Sequence, residues 1–203
     1  MTRTYENEVI KTVLSGNTRA FETLVNTYSK TVYNLALRMT GSPEDAADMT
    51  QETFIKAFKS LNTFRGDSKF SVWLYRIASN VCLDFLRSKS KKQEVSLTAE
   101  EEDEEFDIPD LSSLPEEKLM RSLTKDAVRR GLEALPEEYR SILILREING
   151  LSYGEIGEVL SLEEGTVKSR IFRARKKLCA FLLKDGNIPD SLASNETEGG
   201  AEA

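Results

Sequence analysis

Apolar residues recur at intervals of three and four along most of this chain, which is the spacing of one face of an α-helix. No stretch alternates between apolar and polar residues for long enough to build a sheet. The sequence therefore predicts an all-α fold. The first long amphipathic helix is marked by Ala20, Phe21, Leu24, Val25, Tyr28, Val32, Leu35 and Met39.

Two further helices are expected in the first half of the chain. Gly41 ends the first helix, and Ser42-Pro43 starts the second, with serine as the N-cap and proline at the first helical position. A third helix follows a loop at residues 64–68. The expected buried residues are Ala47, Phe54, Phe58 and Leu61 on the second helix, and Trp73, Leu74, Ile77, Val81 and Phe85 on the third, which should run from about Phe70 to Arg87.

The net charge of −6 is unevenly distributed. Residues 93–117 hold eleven acidic and no basic side chains, and residues 184–203 hold five acidic and one basic. The rest of the chain therefore carries a net charge of +9. This pattern predicts two small, modestly basic helical domains, 1–92 and 115–183, joined by an acidic flexible linker (93–114) and followed by a disordered acidic tail (184–203).

The composition argues against an enzyme. The chain contains no histidine, so it lacks the commonest general base and metal ligand. It also lacks a glycine-rich phosphate loop, so we expect no catalytic residue, no metal and no cofactor. Cys82 and Cys179 are far apart and flanked by apolar residues, which fits a reducing cytoplasm. The longest apolar run, Ile142 to Leu145, is too short to cross a bilayer, and residues 1–10 do not resemble a secretion signal.

The second half of the chain has the pattern of a helix-turn-helix. One helix is expected around Leu119 to Leu132, and another opens at Pro136 and ends at Gly150. Ser152 to Glu155 has the sequence of a capping box, which predicts a short helix to about Leu160. After a tight turn, a final basic helix should run over about 163–183. Such a second helix enters the major groove of DNA. The turn contains Ser161, where glycine or asparagine would adopt a left-handed conformation at lower cost.

The final helix has one apolar and one basic face. With 100° per residue, Ile171, Ala174 and Leu178 fall within about 40° of Val167, which defines the buried stripe. The opposite face offers donors and an aromatic ring suited to base edges, a thymine methyl group and phosphates. The alternative is an ordinary solvated basic helix. The exposed face carries Lys168, Ser169, Phe172, Arg173 and Lys176, while Arg170, Arg175 and Lys177 lie at its flanks, where they could bind phosphate.

Aromatic and basic residues are interleaved before and along the third helix. Unstacked bases are bound by such combinations, because rings provide stacking surfaces and cations hold the backbone. Phe70 and Trp73 could equally be core residues of a helical bundle. Phe64 lies in a loop with Gly66 and is the better candidate for a base contact. The interleaved residues are Phe64, Phe70, Trp73 and Tyr75 with Arg65, Lys69 and Arg76, and Arg76 shares a polar stripe with Asn80.

Two segments resemble a known family. DMTQETFIKAFKSLNTFRGDSKFSVWLYRIASNVCLDFLR (48–87) resembles region 2 of the extracytoplasmic-function (ECF) group of bacterial sigma factors. LPEEYRSILILREINGLSYGEIGEVLSLEEGTVKSRIFRARKKL (135–178) resembles their region 4. With the first helix, the likeness covers about residues 8–92 and 115–182, and the order and spacing of the motifs agree. The resemblance implies a protein that binds core RNA polymerase and recognises promoters.

The resemblance also implies roles for individual residues. One face of the second helix would dock on the clamp helices of the largest polymerase subunit, and region 4 would meet the polymerase flap. Region 2 would capture a flipped, non-template base of the −10 element, and region 4 would read the −35 element as duplex. The implied residues are Asp48, Gln51 and Glu52 for docking, Lys56, Phe64 and Asn80 for the −10 element, and Lys168, Ser169, Phe172 and Arg173 for the −35 element.

We therefore expect an alternative sigma factor that binds core polymerase, recognises both promoter elements and promotes DNA opening. The linker would thread toward the polymerase active site, and the family commonly has an anti-sigma protein as a further partner. The alternative is a stand-alone helix-turn-helix regulator whose first domain senses a signal or dimerises. Co-purification with core polymerase distinguishes the two. A sigma factor should co-purify with the polymerase and bind promoters poorly without it, whereas a stand-alone regulator binds DNA by itself.

Overall fold

In this computed structural model, residues 2–94 and 125–184 are described, and all of their regular structure is helical. The expected all-α class is confirmed. The residues from 95 to 124, which include Leu119 and Leu123 and most of the expected linker, and the tail beyond Lys184 lie outside the described residues. The helices are α1 (Arg3–Leu14), α2 (Phe21–Thr40), α3 (Pro43–Lys59), α4 (Phe70–Glu94), α5 (Lys125–Ala134), α6 (Glu137–Leu143), α7 (Tyr153–Leu160) and α8 (Glu164–Lys184).

Helices α2, α3 and α4 pack on one another and form the core of the first region. The chain turns sharply between α2 and α3 because Gly41 adopts a left-handed conformation, with φ of 73°. The Ser42 hydroxyl then accepts a hydrogen bond from the Asp45 N–H at 3.2 Å, as expected of an N-cap. Leu24 and Leu74 are fully buried between these helices. Burying one such side chain contributes about 1.5–3 kcal/mol to stability.

The sequence did not predict α1, which packs on the start of α2. Val9, Ile10 and Val13 form its buried face. Glu6 is also buried and accepts a hydrogen bond from the Tyr28 hydroxyl of α2. Burial, followed by the neighbouring Glu6 carboxylate, raises the pKa of Tyr28 far above its ordinary value, so the phenol stays protonated and keeps donating. This contact fixes α1 against α2.

The buried face of α3 differs from the expected one. Ala46, Met49 and Ala57 are buried in the structure, whereas Ala47 and Phe58 are exposed. Phe54 and Leu61 are buried as expected, and the two positions that were wrong each lie one residue past a buried alanine, which is a rotation of about 100°. On α4, Leu74 and Val81 are buried as expected. Trp73, Ile77 and Phe85 are only half-buried, because they lie at the margin of the α4 contact surface.

The second region contains the expected helix-turn-helix, formed by α7 and α8. Ser152 and Glu155 form a complete capping box, in which each side chain bonds the other residue's backbone N–H. The turn then passes close to α7, since a Cβ on Gly157 would lie 2.6 Å from the Leu162 carbonyl oxygen. The helix that was expected to reach Gly150 is α6, which continues as a π-helical turn over Ile144–Ile148.

The two regions contact each other. The Arg140 guanidinium of α6 donates to the carbonyl oxygens of Met39 at 2.8 Å, Glu133 at 2.6 Å and Leu135 at 3.1 Å. Burial of this group lowers the pKa of Arg140. Because the ordinary pKa of arginine lies far above neutrality, the guanidinium stays positively charged. Helix α7 also packs along α4. Most buried apolar residues of both regions therefore join in one core, while Ala127, Cys179 and Leu182 form a separate small cluster.

Ser161 ends α7 in a left-handed conformation with φ of 56°, as its position in the turn predicted. Ser161→Gly should raise the free energy of unfolding by about 0.5–1 kcal/mol, because a left-handed conformation costs other residues about 1–2 kcal/mol and the greater entropy of unfolded glycine offsets part of the gain. Urea unfolding of the full chain measures this difference.

Ser60 provides the matched control, because it ends α3 with φ of −104° and its hydroxyl donates to the Lys56 carbonyl at 2.7 Å. Ser60→Gly should therefore lower the free energy of unfolding. Equal effects from the two glycine substitutions would contradict the explanation by backbone strain.

Candidate functional site

Helix α8 is anchored by one face and exposed on the other. Val167, Ile171 and Ala174 are buried as predicted, whereas Leu178, the fourth residue of the predicted stripe, is half-buried. Phe172 is 65% exposed, although it is one of the largest apolar side chains in the chain. An exposed ring among cations gives this face an apolar contact surface beside its hydrogen-bond donors. The other exposed residues of the helix's outer face are Lys168, Ser169 and Arg173, and Lys176 is half-buried.

Lys168 is held in place at the start of this face. Its ammonium group donates to Glu164 at 2.9 Å and lies 5.8 Å from the centre of the Tyr153 ring. The hydrogen bond to Glu164 raises the pKa of Lys168, so its positive charge persists. The Arg146 guanidinium lies over the same ring at 4.7 Å. Sequence reasoning missed Glu164, Tyr153 and Arg146, and only the four-residue spacing of Glu164 and Lys168 could have indicated one of these contacts.

The two flanking arginines form ion pairs with the neighbouring helical segment. Arg170 lies 3.3 Å from Glu138, and Arg175 donates to Glu147 at 2.6 Å and 3.1 Å. These pairs connect α8 to α6 and to the π-helical turn that follows it. They therefore orient the exposed face of α8, and their expected phosphate contacts stay predictions.

Phe64 belongs to a cluster of aromatic rings at the start of α4. Its ring centre lies 5.5 Å from that of Phe70 and 5.6 Å from that of Trp73. Phe70 is fully buried and is a core residue, whereas Phe64 and Trp73 are half-buried. The sequence left open whether Phe70 and Trp73 stack on bases or belong to the core, and the structure shows that Phe70 is a core residue. Phe64 keeps part of its surface available for a ligand.

The other candidates for the −10 element lie on the helices that flank this cluster. Arg76 and Asn80 are exposed and lie one turn apart on α4. Lys56 is exposed on α3 and forms an ion pair with Glu52 at 2.8 Å. In the structure, Phe64 therefore contacts the Phe70 and Trp73 rings. Lys56 is paired with Glu52, a residue expected to contact polymerase.

The candidate docking residues lie beside an apolar groove. Asp48 and Gln51 are exposed on α3, and Glu52 is half-exposed. The groove has a volume of about 750 Å³ between α2 and α3, and it contains the exposed side chains of Ile55 and Phe58. Sequence reasoning missed it, since it assigned Phe58 to the core. The remaining lining residues are Phe21, Val25, Ser29, Lys30, Tyr33, Ala47, Thr50, Gln51, Phe54 and Lys59.

The described residues offer little for catalysis. Among residues 2–94 and 125–184, no cluster of histidine, cysteine, aspartate and glutamate could hold a metal ion. Burial raises the pKa of the Cys82 thiol to about 12 and also raises that of Cys179, so neither is a ready nucleophile. Across the same described residues, no helix has the length and apolarity of a membrane span.

Family comparisons match both regions. Residues 24–92 match the model of sigma-70 region 2, and residues 125–178 match that of sigma-70 region 4. The chain is 37% identical over 182 residues to the RNA polymerase sigma-H factor of Pseudomonas aeruginosa, an alignment that covers 88% of this chain and 94% of the relative. It is 38% identical over 174 residues to the ECF RNA polymerase sigma-E factor of Escherichia coli K12, covering 84% and 90% of the two chains.

Solved structures show the same fold. The structure of CnrH in complex with the cytosolic domain of CnrY aligns with a TM-score of 0.62 at 28% identity, covering 87% of this chain and 96% of that one. The sigma factor RpoE from Bartonella quintana, solved with the anti-sigma factor NepR, also has a TM-score of 0.62, at 23% identity and with coverage of 81% and 98%. The second likeness is one of fold alone.

Paired regions 2 and 4, with a DNA-binding helix-turn-helix in the second, define a sigma-70-type factor, which is a non-catalytic subunit of RNA polymerase that initiates transcription. Within that class, the chain belongs to the ECF sigma factors. The resemblance noted in the sequence is thereby confirmed, whereas the roles expected of individual residues and the domain boundaries stay predictions.

Arg173 is the most direct test of base readout by α8. Arg173→Ala should weaken binding of the holoenzyme to its promoter by about 1–3 kcal/mol and relax the preference at one base pair, because arginine can donate two hydrogen bonds to guanine. Competition binding against a library randomised across the −35 element measures both effects.

The control for this variant is Lys177→Ala. It is preferable to Arg175→Ala, because the Arg175 guanidinium already bonds the Glu147 carboxylate and its loss would also break that pair. Lys177 is exposed on the same helix, near the Tyr139 ring at 5.7 Å. Its loss should affect all sequences alike. Equal, sequence-independent losses from both variants would show that Arg173 does not read a base.

Proposed function

We propose that the exposed face of α8 reads the −35 promoter element as duplex, while the Phe64 loop captures a displaced base of the −10 element. The observation that carries this proposal is the separation of two nucleic-acid surfaces of different chemistry. One is a cationic helix face with an exposed ring, and the other is a half-buried ring at the edge of an aromatic cluster. In this assignment residues 1–92 form the region 2 domain and residues 115–183 the region 4 domain.

On the duplex, the exposed face of α8 lies in the major groove. Lys168 and Arg173 bind acceptors on guanine, and Phe172 contacts a thymine methyl group. Ion pairs with Glu164 and Glu147 restrict the side chains of Lys168 and Arg175 before DNA arrives, which reduces the entropy lost on binding. Ser169, Arg170, Arg175 and Lys176 bind base edges or phosphates around this centre.

At the −10 element, the half-buried Phe64 ring provides a stacking surface at the edge of the aromatic cluster. Its contacts with Phe70 and Trp73 fix the ring before DNA arrives. Stacking of one base is worth about 1–3 kcal/mol, which offsets part of the cost of unpairing it. Lys56, Arg76 and Asn80 add charge and hydrogen bonds along the displaced non-template strand.

On the polymerase side, the exposed Asp48, Gln51 and Glu52 dock on the clamp helices of the largest subunit. The adjoining groove takes apolar side chains of the same partner, which explains why Ile55 and Phe58 remain exposed. The second region meets the polymerase flap. Binding to polymerase places the protein in the cytoplasm.

We further propose that an anti-sigma protein holds this factor inactive. Support comes from CnrH, which was solved in complex with the cytosolic domain of CnrY and shares this fold over most of both chains. A partner that covers the α3 surface would compete directly with polymerase.

The Phe64→Ala variant tests base capture. It should leave binding to core polymerase and to the −35 element intact and slow promoter opening, because the extruded base loses its stacking surface. The reactivity of unpaired thymines with permanganate measures opening on the strongest promoter that the holoenzyme selects from a genomic library.

A promoter that is already mismatched across the −10 element should recover part of this loss, because the cost of unpairing has been removed. If Phe64 served the hydrophobic core alone, the variant would instead lose several kcal/mol of stability, and the mismatched promoter would give no recovery.

A further inference from the structure

Helix α1 reaches the loop that carries Phe64. The Arg3 guanidinium, at the first turn of α1, donates to the Gly66 carbonyl oxygen at 2.6 Å. The two residues are 63 positions apart, so this bond joins the beginning of the chain to the loop between α3 and α4. Arg3 lies outside residues 24–92, which match sigma-70 region 2. Neither that match nor the resemblance gives α1 a role.

A second, independent series of contacts leads from α1 to the Phe64 ring. Glu6, one turn after Arg3, accepts the hydrogen bond from Tyr28. The Tyr28 ring lies 5.5 Å from Phe70, and Phe70 lies 5.5 Å from Phe64. The carboxylate of Glu6 is buried, so this contact is set by the packing of α1 on α2. One route therefore holds the loop backbone, and the other holds the aromatic cluster on which Phe64 packs.

The loop needs such support because its own backbone is held only near its ends. The Phe64 N–H bonds the Leu61 carbonyl at 3.1 Å, and the Val72 N–H bonds the Lys69 carbonyl at 3.0 Å, where α4 begins. Between them, Gly66 has φ of 81°, and a Cβ there would meet no atom within 4 Å. Glycine in open space lets the chain sample other conformations. Arg3 binds the carbonyl of this same residue.

We propose that Arg3 is a positioning residue for the −10 loop: it holds Gly66 so that Phe64 is presented to the displaced base. This inference rests on the proposed role of Phe64. A loop that is ordered before DNA arrives loses less entropy on binding the base, so the benefit appears in promoter opening. Binding to polymerase and to the −35 element does not depend on it.

The experiment uses the full chain assembled with core polymerase on the same library-selected promoter. It compares the wild type with Arg3→Ala, Arg3→Lys, Phe64→Ala and the double variant Arg3→Ala/Phe64→Ala. Lys11→Ala is the matched control, because Lys11 is an exposed cation on the same helix. Permanganate reactivity is followed over time on the intact promoter and on one mismatched across the −10 element, and thermal midpoints are measured for every variant.

Arg3→Ala should slow opening of the intact promoter about two- to tenfold, the kinetic equivalent of one hydrogen bond. Arg3→Lys should retain part of the rate, because lysine can still donate to the carbonyl. Lys11→Ala should open at the wild-type rate. The double variant should be no slower than Phe64→Ala alone, because Arg3 acts through Phe64, and the mismatched promoter should recover part of each loss.

Wild-type opening by Arg3→Ala beside a slow Phe64→Ala would overturn the inference and leave the proposed role of Phe64 standing. Fully multiplicative losses in the double variant would also overturn it, because Arg3 would then act elsewhere. The same holds for a loss that follows only the thermal midpoint. If Phe64→Ala itself opens the promoter normally, the proposed function fails first, and the positioning role fails with it.

Discussion

The burial of one ring, that of Phe70, determines how the first region presents its surfaces. Phe70 lies at the start of α4 and contacts Tyr28 of α2, Phe64 of the preceding loop and Trp73 of its own helix. Because this ring is fully buried, the start of α4 cannot move without disturbing α2 and the loop together. The half-buried Phe64 ring packs edge-on against this buried ring, with their centres 5.5 Å apart.

In the second region, α8 packs into the core through one face and exposes many cations on the other. Its apolar stripe supplies the first function, and ion pairs at its flanks supply orientation. Exposed pairs of this kind contribute little to stability, so their effect is on where the side chains point. The contact of Lys69 with Glu155 at 2.9 Å extends this arrangement between regions, because Lys69 follows the Phe64 loop and Glu155 belongs to the capping box of α7.

Local chemistry made much of this structure predictable. The N-cap at Ser42, the capping box and the left-handed Ser161 each depend on a few neighbouring residues, and all appear as expected. The features that were missed depend on packing between distant residues. Helix α1 has apolar residues at helical spacing, with Val9, Ile10 and Val13 buried, but its polar contacts are with the distant Tyr28 and Gly66. The groove beside α3 includes Phe58, which the periodic pattern assigned to the core but which packs on Phe21 and stays 41% exposed. The sequence named candidate binding residues, but only the structure pairs Lys168 with Glu164 and Arg175 with Glu147.

We propose that this chain gives core RNA polymerase its promoter specificity by docking through α3. The most direct measurement is transcription from a genomic library by core enzyme with the wild-type chain or with Asp48→Lys/Glu52→Lys. Exposed helix charges contribute at most about 1 kcal/mol, so the variant should keep its thermal midpoint. Reversing two charges at the interface should nevertheless abolish polymerase binding and the start sites that the wild type produces. A folded variant that produces the same start sites, or a wild-type chain that binds those promoters equally well without polymerase, would contradict the claim.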